Sequence, residues 1–411
     1  MWGDIAIAFL LALIMSFMTT PYTIKIAKKI GAIDVPKDER RMHKNAMPKF
    51  GGPAVIFGFV VSVIYLIIVM NIEHTIDLFG ENGYGRKLIG LFLGIVIIAI
   101  TCICDDIKPI KPIAKLSGQL LAAAIAVYFG IIIDDINLPF LTSEIAQDIF
   151  NIILTVGWIV GITNAINLSD GLDGLSSGIS AISSISLLVI FVLNGSPFIA
   201  VILITALSGA ILGFLPFNFS PAKTFIGDTG SNFIGYAISI ISILGVAKTY
   251  TMAVIVLPLI VLGLPILDTL WAIIRRLIKG KSLKAIFQAD RGHVHHRIIA
   301  RGFNQKQTVL ILYIISATFG FFAVIWLDSG IWKALSFLFM VLVAFAIGYR
   351  TFREDRIEHQ RFECVECKYI YNPKVGNEKV GIIKGTEFED LPSNWSCPVC
   401  GSDKENFRES K

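Results

Sequence analysis

The residues that could do chemistry lie in short blocks, and the densest is Asn164-Ala165-Ile166-Asn167-Leu168-Ser169-Asp170-Gly171-Leu172-Asp173-Gly174-Leu175. Two carboxamides and two carboxylates recur there at every third residue, between apolar runs at 149–161 and 179–193. Ionisable groups beside a membrane-length segment are costly unless they face water, a metal or a partner, so the block reads as functional. Its glycines allow sharp turns and close approach of backbone to a ligand. A polar turn between two hydrophobic helices is the plainer alternative, and the repeated Asn and Asp fit it poorly.

Four further blocks carry polar chemistry. Asp105-Asp106 closes the apolar run 95–104. Adjacent carboxylates repel unless a cation or a basic neighbour offsets them. They suit a phosphoryl-transfer centre, where Mg²⁺ takes hard oxygen ligands and a spare acid can act as base. Ending a helix at the water interface would also explain them. Lys108, Lys111 and Lys115 follow, and could neutralise the acids, attract anionic headgroups or bind phosphate. In Phe225-Ile226-Gly227-Asp228-Thr229-Gly230-Ser231, Asp228 could offer one carboxylate to a metal, and a helix starting near Thr229 would offer N–H groups to an anion. An ordinary helix cap is the alternative. Asp290-Arg291-Gly292-His293-Val294-His295-His296-Arg297 joins three imidazoles to two guanidiniums. Zinc is conceivable there, but flanking arginines repel a cation and suit a diphosphate through bidentate forks. His43-Lys44 and the segment 47–53 form a basic entry loop with a glycine pair that a lipid phosphate could approach.

The elements that must position these blocks are membrane helices. The chain is 55% hydrophobic and 16% charged, too apolar for an ordinary soluble domain. At about 20 residues per span, eleven spans are expected: 3–20, 51–70, 88–104, 113–133, 148–166, 176–194, 198–217, 231–247, 251–273, 308–327 and 331–349. The first lacks a basic leader and an evident cleavage site, and is expected to stay as a span running into Pro21 and a basic loop. Basic loops at 25–49 and 274–307, and an acidic loop at 134–147, put the N-terminus outside and the C-terminus in the cytoplasm of a plasma-membrane protein. Every polar block then falls on the cytoplasmic side, as one site. A transporter would hold ionisable groups near the midplane of interrupted helices, whereas these spans read as nearly free of charge, and Pro258 and Pro265 could kink the ninth span but read more simply as packing residues. The net charge of +5 reflects topology and lipid contact, with no nucleic-acid signature.

Composition changes after Tyr349. The expected division is a membrane domain at 1–349, a charged linker at 350–361 and a small domain at 362–411. That tail carries Cys364-Val365-Glu366-Cys367 and Cys397-Pro398-Val399-Cys400, two knuckles that each give two thiolates to a tetrahedral metal site. A disulfide pair is disfavoured in the cytoplasm. The 29 residues between the knuckles exceed the gap of about 15–20 in simple zinc ribbons.

Asp105-Asp106, the block 164–175, the block 225–231 and His293-Val294-His295-His296-Arg297 together resemble the polyprenyl-phosphate N-acetylhexosamine-1-phosphate transferases over residues 1 to about 330. The resemblance implies transfer of a sugar phosphate from a UDP-sugar to undecaprenyl phosphate, with Mg²⁺ (or Mn²⁺) as cofactor and UMP as leaving product. It implies Asp228 and Asn167 at the metal, Asp105 as base or nucleophile with Asp106 beside it, and Phe225 and Asp173 on uracil. Asp170 would lie near metal or nucleotide, Lys44 and Lys115 on phosphate, and Arg291, His293, His295, His296 and Arg297 on diphosphate or sugar. Val294 within the histidine run resembles the branch making lipid-linked GlcNAc for envelope polymers. The tail resembles rubredoxin through Tyr369-Ile370-Tyr371-Asn372-Pro373, Gly376, Gly385-Thr386-Glu387-Phe388, Leu391-Pro392, Trp395 and Phe407, which implies iron, or zinc in its place, on the four cysteines. Rubredoxins often have glycine where Lys368 stands. A homodimer is expected by resemblance, and the tail is left between electron transfer, redox sensing and anchoring a partner. A membrane redox protein using the tail is the rival reading, weakened by the lack of any haem, flavin or quinone constellation in the spans.

Overall fold

The computed structural model describes the chain except residues 1, 36–45, 74–82, 135–142, 246–250, 281–291, 360, 374, 378–381, 383–385, 387, 389–390, 393–394 and 411. Lys44 and Arg291 therefore lie outside the described residues. The chain divides into two compact units, Met1–Ala334 and Leu335–Lys411.

The first unit is helical: α1 Trp2–Ile30, α2 Gly52–Ile72, α3 Gly85–Ile107, α4 Pro112–Tyr128, α5 Glu144–Leu168, α6 Leu175–Leu193, α7 Phe198–Asn218, α8 Gly227–Leu244, α9 Thr251–Val261, α10 Gly263–Gly280, α11 Val294–Ile299 and α12 Gln305–Ser329. A two-stranded antiparallel pair, β1 Ile33–Asp34 and β2 Met47–Pro48, precedes α2. Among the described residues, seven helices are long and apolar enough to cross a membrane (α1, α2, α3, α5, α6, α7 and α12), with shorter apolar helices at Pro112–Tyr128 and Ile331–Ala346. The protein is thus a multi-pass membrane protein, mostly helical.

Two sequence expectations change. The first helix does not stop at Pro21 but runs through it to Ile30, carrying Lys25, Lys28 and Lys29 on its last turns. Proline costs a helix one backbone bond, which neighbouring helices in a membrane protein tolerate. The ninth span is not one helix: α9 ends at Val261 and α10 begins at Gly263, so the prolines at 258 and 265 flank a break. The span is also not free of charge, because α10 carries a buried Asp268.

The centre of the unit is α7, apolar on every side and buried along most of its length among α1, α2, α6 and α8. Beside it, α8 is buried from Thr229 to Leu244. A helix that is apolar all round belongs in the interior, so the sequence of α8 places its polar first turn against its neighbours' ends.

The second unit holds most of α13, Ile331–His359, followed by a three-stranded antiparallel sheet in the order β4 Ile370–Tyr371, β3 Arg361–Cys364, β5 Phe407–Ser410. Phe362 pairs with Tyr371, and Cys364 pairs with Phe407. Its core is aromatic, with Tyr371, Phe388 and Trp395 buried beside Ile382 and Leu391, and Phe362, Tyr369 and Phe407 packed on them. A core this small is marginal alone, and a structural metal is a common remedy.

Candidate active site

The site is built around the first turn of α8. Gly227 opens it at φ +74°, a left-handed conformation that suits glycine. The residue in the cap position, Ile226, has no side-chain oxygen to offer the free N–H groups. Asp106, from the last turn of α3, does that work: Oδ1 accepts from the Asp228 N–H at 3.0 Å, and Oδ2 accepts from the Thr229 N–H at 3.0 Å and the Thr229 hydroxyl at 2.6 Å. These are the two amides that a side-chain cap ordinarily takes, and a carboxylate there also meets the positive end of the helix. Lys49 lies 3.8 Å from Asp106. Two backbone bonds stitch the preceding loop to the start of α2, from Gly51 N–H to Phe225 O at 3.0 Å and from Gly52 N–H to Ile226 O at 2.8 Å. A side chain on Gly52 would collide with the backbone of Gly230, so the close approach requires glycine.

Asp228 is then the meeting point of four helices. Its Oδ1 accepts from Lys115 Nζ at 2.6 Å and from Asn167 Nδ2 at 2.8 Å, and Asn167 also donates to Ser231 Oγ at 2.9 Å. Lys115 reaches Asp105 as well, at 2.8 Å, and the second oxygen of Asp105 accepts from the Ile110 N–H at 2.8 Å. The ammonium of α4 thus sits between a carboxylate of α3 and one of α8, while α5 supplies the amide. Behind this layer Asn232 donates to the Asp228 carbonyl at 2.8 Å, Gln119 donates to Asn232 at 2.7 Å, and Asn164 donates to Gln119 at 2.7 Å. Buried amides of this kind persist because each is paired.

The loop after α5 comes next. Burial, then the carboxylates of Asp228, Asp106 and Asp173, push Asp170 well above the usual carboxylate range. Asp173 accepts from the Ala222 N–H at 3.2 Å. Phe225 is half-buried, its N–H bonded to Pro48 O at 2.8 Å. Gly171 faces His295, whose ring a side chain at 171 would displace. His295 is buried, parallel to His293 with ring centroids 5.8 Å apart and 4.2 Å from the ring of His296. Burial, helped by His296 and His293, holds His295 down to about 4, so it is neutral near pH 7. His293 Nδ1 pairs with Asp268 at 2.9 Å, and the other oxygen of Asp268 accepts from the Val294 N–H at 2.9 Å. Arg297 is exposed in α11, its N–H bonded to His293 O at 3.2 Å. Five sequence blocks are thereby linked, 47–52, 105–115, 164–173, 225–231 and 292–297, the last through the contact of Gly171 with His295.

In the second unit, Cys364 Sγ lies 3.7 Å from Cys400 Sγ, and Cys367 Sγ lies 3.5 Å from Cys397 Sγ. All four sulfurs lie within 4.8 Å of one another. A tetrahedral metal with bonds of about 2.3 Å to sulfur has edges of about 3.8 Å, so the spacing fits one ion and not a disulfide, whose bond is about 2.05 Å. The knuckles match: the Lys368 N–H bonds Cys364 O at 3.0 Å, and the Gly401 N–H bonds Cys397 O at 2.9 Å. Lys368 takes φ +64° beside +76° for Gly401, keeping the glycine conformation without the glycine.

Residues 88–246 match glycosyl transferase family 4, and residues 361–407 match rubredoxin. The probable undecaprenyl-phosphate N-acetylglucosaminyl 1-phosphate transferase of Bacillus subtilis (strain 168) is 38% identical over 339 residues, 82% of this chain and 89% of the relative. The chain belongs to glycosyl transferase family 4. A second relative is the decaprenyl-phosphate N-acetylglucosaminephosphotransferase of Mycobacterium tuberculosis (strain ATCC 25618 / H37Rv), 30% identical over 76% of this chain and 80% of its own length. A third is the phospho-N-acetylmuramoyl-pentapeptide-transferase of Staphylococcus epidermidis (strain ATCC 12228 / FDA PCI 1200), 29% identical over 76% and 95%.

The family 4 match holds Asp105, Asp106, Lys115, Asn167, Asp170, Asp173, Phe225 and Asp228, while the histidine block lies beyond it. Sequence reading missed Gln119, Asn232 and Asp268, and gave no side-chain role to Lys49, Thr229 or Ser231 within the blocks it named. The available signal for Asp268 was its standing as the one ionisable residue of the expected span 251–273. Nothing in sequence distance tied Asp268 to His293, 25 residues later.

Proposed function

We propose that this family 4 member transfers N-acetylhexosamine 1-phosphate, with GlcNAc 1-phosphate as the first choice, from a UDP-sugar to undecaprenyl phosphate, releasing UMP at the cytoplasmic face. The observation that carries the proposal is the convergence of Asp105, Lys115, Asn167 and Asp228, from four helices, within hydrogen-bonding distance. Charge neutralisation and positioning are most of what phosphoryl transfer needs from a protein. The names of the relatives and the positive-inside pattern support the substrates and the face.

A divalent cation fits this site, because the seat between Asp105 and Asp228 already holds a cation, the Lys115 ammonium, and the donors around it are hard oxygens. Asp228 would hold Mg²⁺, or Mn²⁺ in its place. Asn167 would join it by turning its carboxamide, whose Nδ2 now faces Asp228. Such an ion supplies positive charge that offsets the diphosphate. Lys115 would pass from the acids to a phosphate oxygen. Asp105 would accept the proton of the lipid phosphate, whose oxygen bonds to the β-phosphorus as the bond from that phosphorus to the bridging oxygen breaks and UMP leaves. Phe225 would stack on uracil, Asp173 would bond it, and neutral His295 with His293, His296 and Arg297 would line the diphosphate and sugar. In the second unit the four thiolates would hold iron, or zinc in its place, and serve a redox partner.

Purified full-length protein with Mg²⁺, undecaprenyl phosphate and a panel of UDP-sugars tests this reading. Acceptor-dependent UMP release, fastest with UDP-GlcNAc, is expected, and no release with any UDP-N-acetylhexosamine would sink it. A burst of UMP without acceptor, with label retained on the enzyme, would replace direct attack by a phospho-aspartyl intermediate.

A further inference from the structure

We infer that Asp106 is a positioning residue: it serves as the missing cap of α8 and, through the first turn of that helix, sets the carboxylate of Asp228. The inference deepens the transferase reading, and rests on it for the importance of Asp228. Two adjacent acids invite the same role, but their surroundings differ. Both Asp106 oxygens are taken, by the amides of Asp228 and Thr229 and by the Thr229 hydroxyl, and the residue is 1% exposed. A ligand could take the lone pairs already in use only by breaking the helix start, and Lys49 lies 3.8 Å from the oxygen that carries a single bond. Asp105 instead spends its carboxylate on one backbone N–H and on Lys115, the side chain that also holds Asp228. Asp105 therefore shares its cation with Asp228, whereas Asp106 is bonded to the backbone that carries it.

The geometry explains why an acid is needed where no reaction occurs. Ile226 is fully buried and cannot supply a cap of its own. Left uncapped, Asp228 and Thr229 would leave donors without partners in a closed interior, which is expensive. Gly227 holds the turn that aims them at Asp106, and a side chain on Gly227 would strike that carboxylate. Loosening this cap lets the first turn fray, and Asp228 moves with it. The supporting partners of a metal ligand usually matter to affinity on this pattern.

The test compares Asp106→Asn and Thr229→Val with wild-type full-length protein, reading Mn²⁺ binding by electron paramagnetic resonance, melting temperature, and UMP release against metal concentration. Asp106→Asn is expected to weaken Mn²⁺ binding by about tenfold or more, to lower the melting temperature by about 4 °C, and to recover much of its kcat at saturating metal. Thr229→Val, which deletes one of the donors and leaves both acids in place, should shift the Mn²⁺ constant in the same direction by roughly fivefold. If Asp106→Asn binds Mn²⁺ and melts as wild type does, yet turns over slowly at every metal concentration, Asp106 touches the reacting atoms and the inference is wrong. If Asp106→Asn does not fold, Thr229→Val decides alone, and an unshifted Mn²⁺ constant in that variant overturns it. Failure of the transferase reading would look different: wild type would release no UMP, while the melting temperatures would still report the cap.

Discussion

The four-cysteine cluster and the oxygen site proposed to take a divalent cation are built on opposite plans. The four cysteines come from two knuckles with the same backbone bonds, and their sulfurs already stand 3.5 and 3.7 Å apart across the site. The oxygen site draws on α3, α4, α5 and α8, between residues as much as 123 apart, and a lysine occupies the seat. Local turns with soft donors make a site that keeps its ion. Long-range packing with hard donors and an internal counter-ion makes one that can exchange it. The first suits a structural or redox centre, and the second suits a reaction in which charged substrates come and go.

The largest effect should come from breaking the local plan. Cys364→Ala is expected to empty the second unit of metal and to unfold its sheet, because binding of a structural ion is worth on the order of 10 kcal/mol in small metal domains. Metal content and proteolysis of the full chain would show it, with UMP release unchanged. A parallel fall in UMP release would mean that the two regions are coupled. Next comes Asp228→Ala, expected to cut turnover by about 10³-fold or more while the cysteine-held ion stays in place. A short EDTA treatment should separate the sites likewise, stopping UMP release until Mg²⁺ returns and leaving the thiolate absorbance intact.

Protons provide a smaller lever on the transferase unit. His295 sits at about 4 when folded, against 6.5 for the ordinary side chain, with burial as the main cause. The unfolded chain takes up its proton below about 6.5 and the folded chain only below about 4, so the stability it contributes is whole above 6.5 and is lost as pH falls toward 4. The span is on the order of 3 kcal/mol. His295→Gln should therefore flatten the fall in melting temperature between pH 6.5 and 4, and an unchanged slope would place the titration elsewhere. The smallest effect is on the knuckle. Lys368→Gly should stabilise the second unit by about 0.5–1 kcal/mol, since a side chain in the left-handed region is strained, and the exposed Lys368–Glu363 pair at 3.4 Å returns little. A lower melting temperature in that variant would show the lysine to be favoured at this turn.

The contrast between the regions also explains what the sequence disclosed. Knuckle cysteines are three positions apart, so their chemistry is visible in a string of letters. The acidic blocks were visible as well, because each is polar where its surroundings are not. Their partners were not. Asp106 and Asp105 look alike in sequence, and only the arrival of α8 separates the roles of their side chains. Gln119, Asn232 and Asp268 belong to no dense polar block, and an isolated amide or acid reads as noise until its partner is seen. Hydropathy does not register the broken backbone at Leu262 between two apolar halves, and the prolines at 258 and 265, which could have signalled a kink, read more simply as packing. Pro21 misled in the reverse sense, as a stop where the helix continues.

The capping of α8 by α3 also bears on how the protein is made. Asp106 leaves the ribosome more than a hundred residues ahead of the amides it serves. Until α8 has been synthesised, that carboxylate has no backbone partner and water is the cheapest company for it. The end of α3 is therefore expected to keep its carboxylate in water until the eighth helix is made and its first turn can close over it.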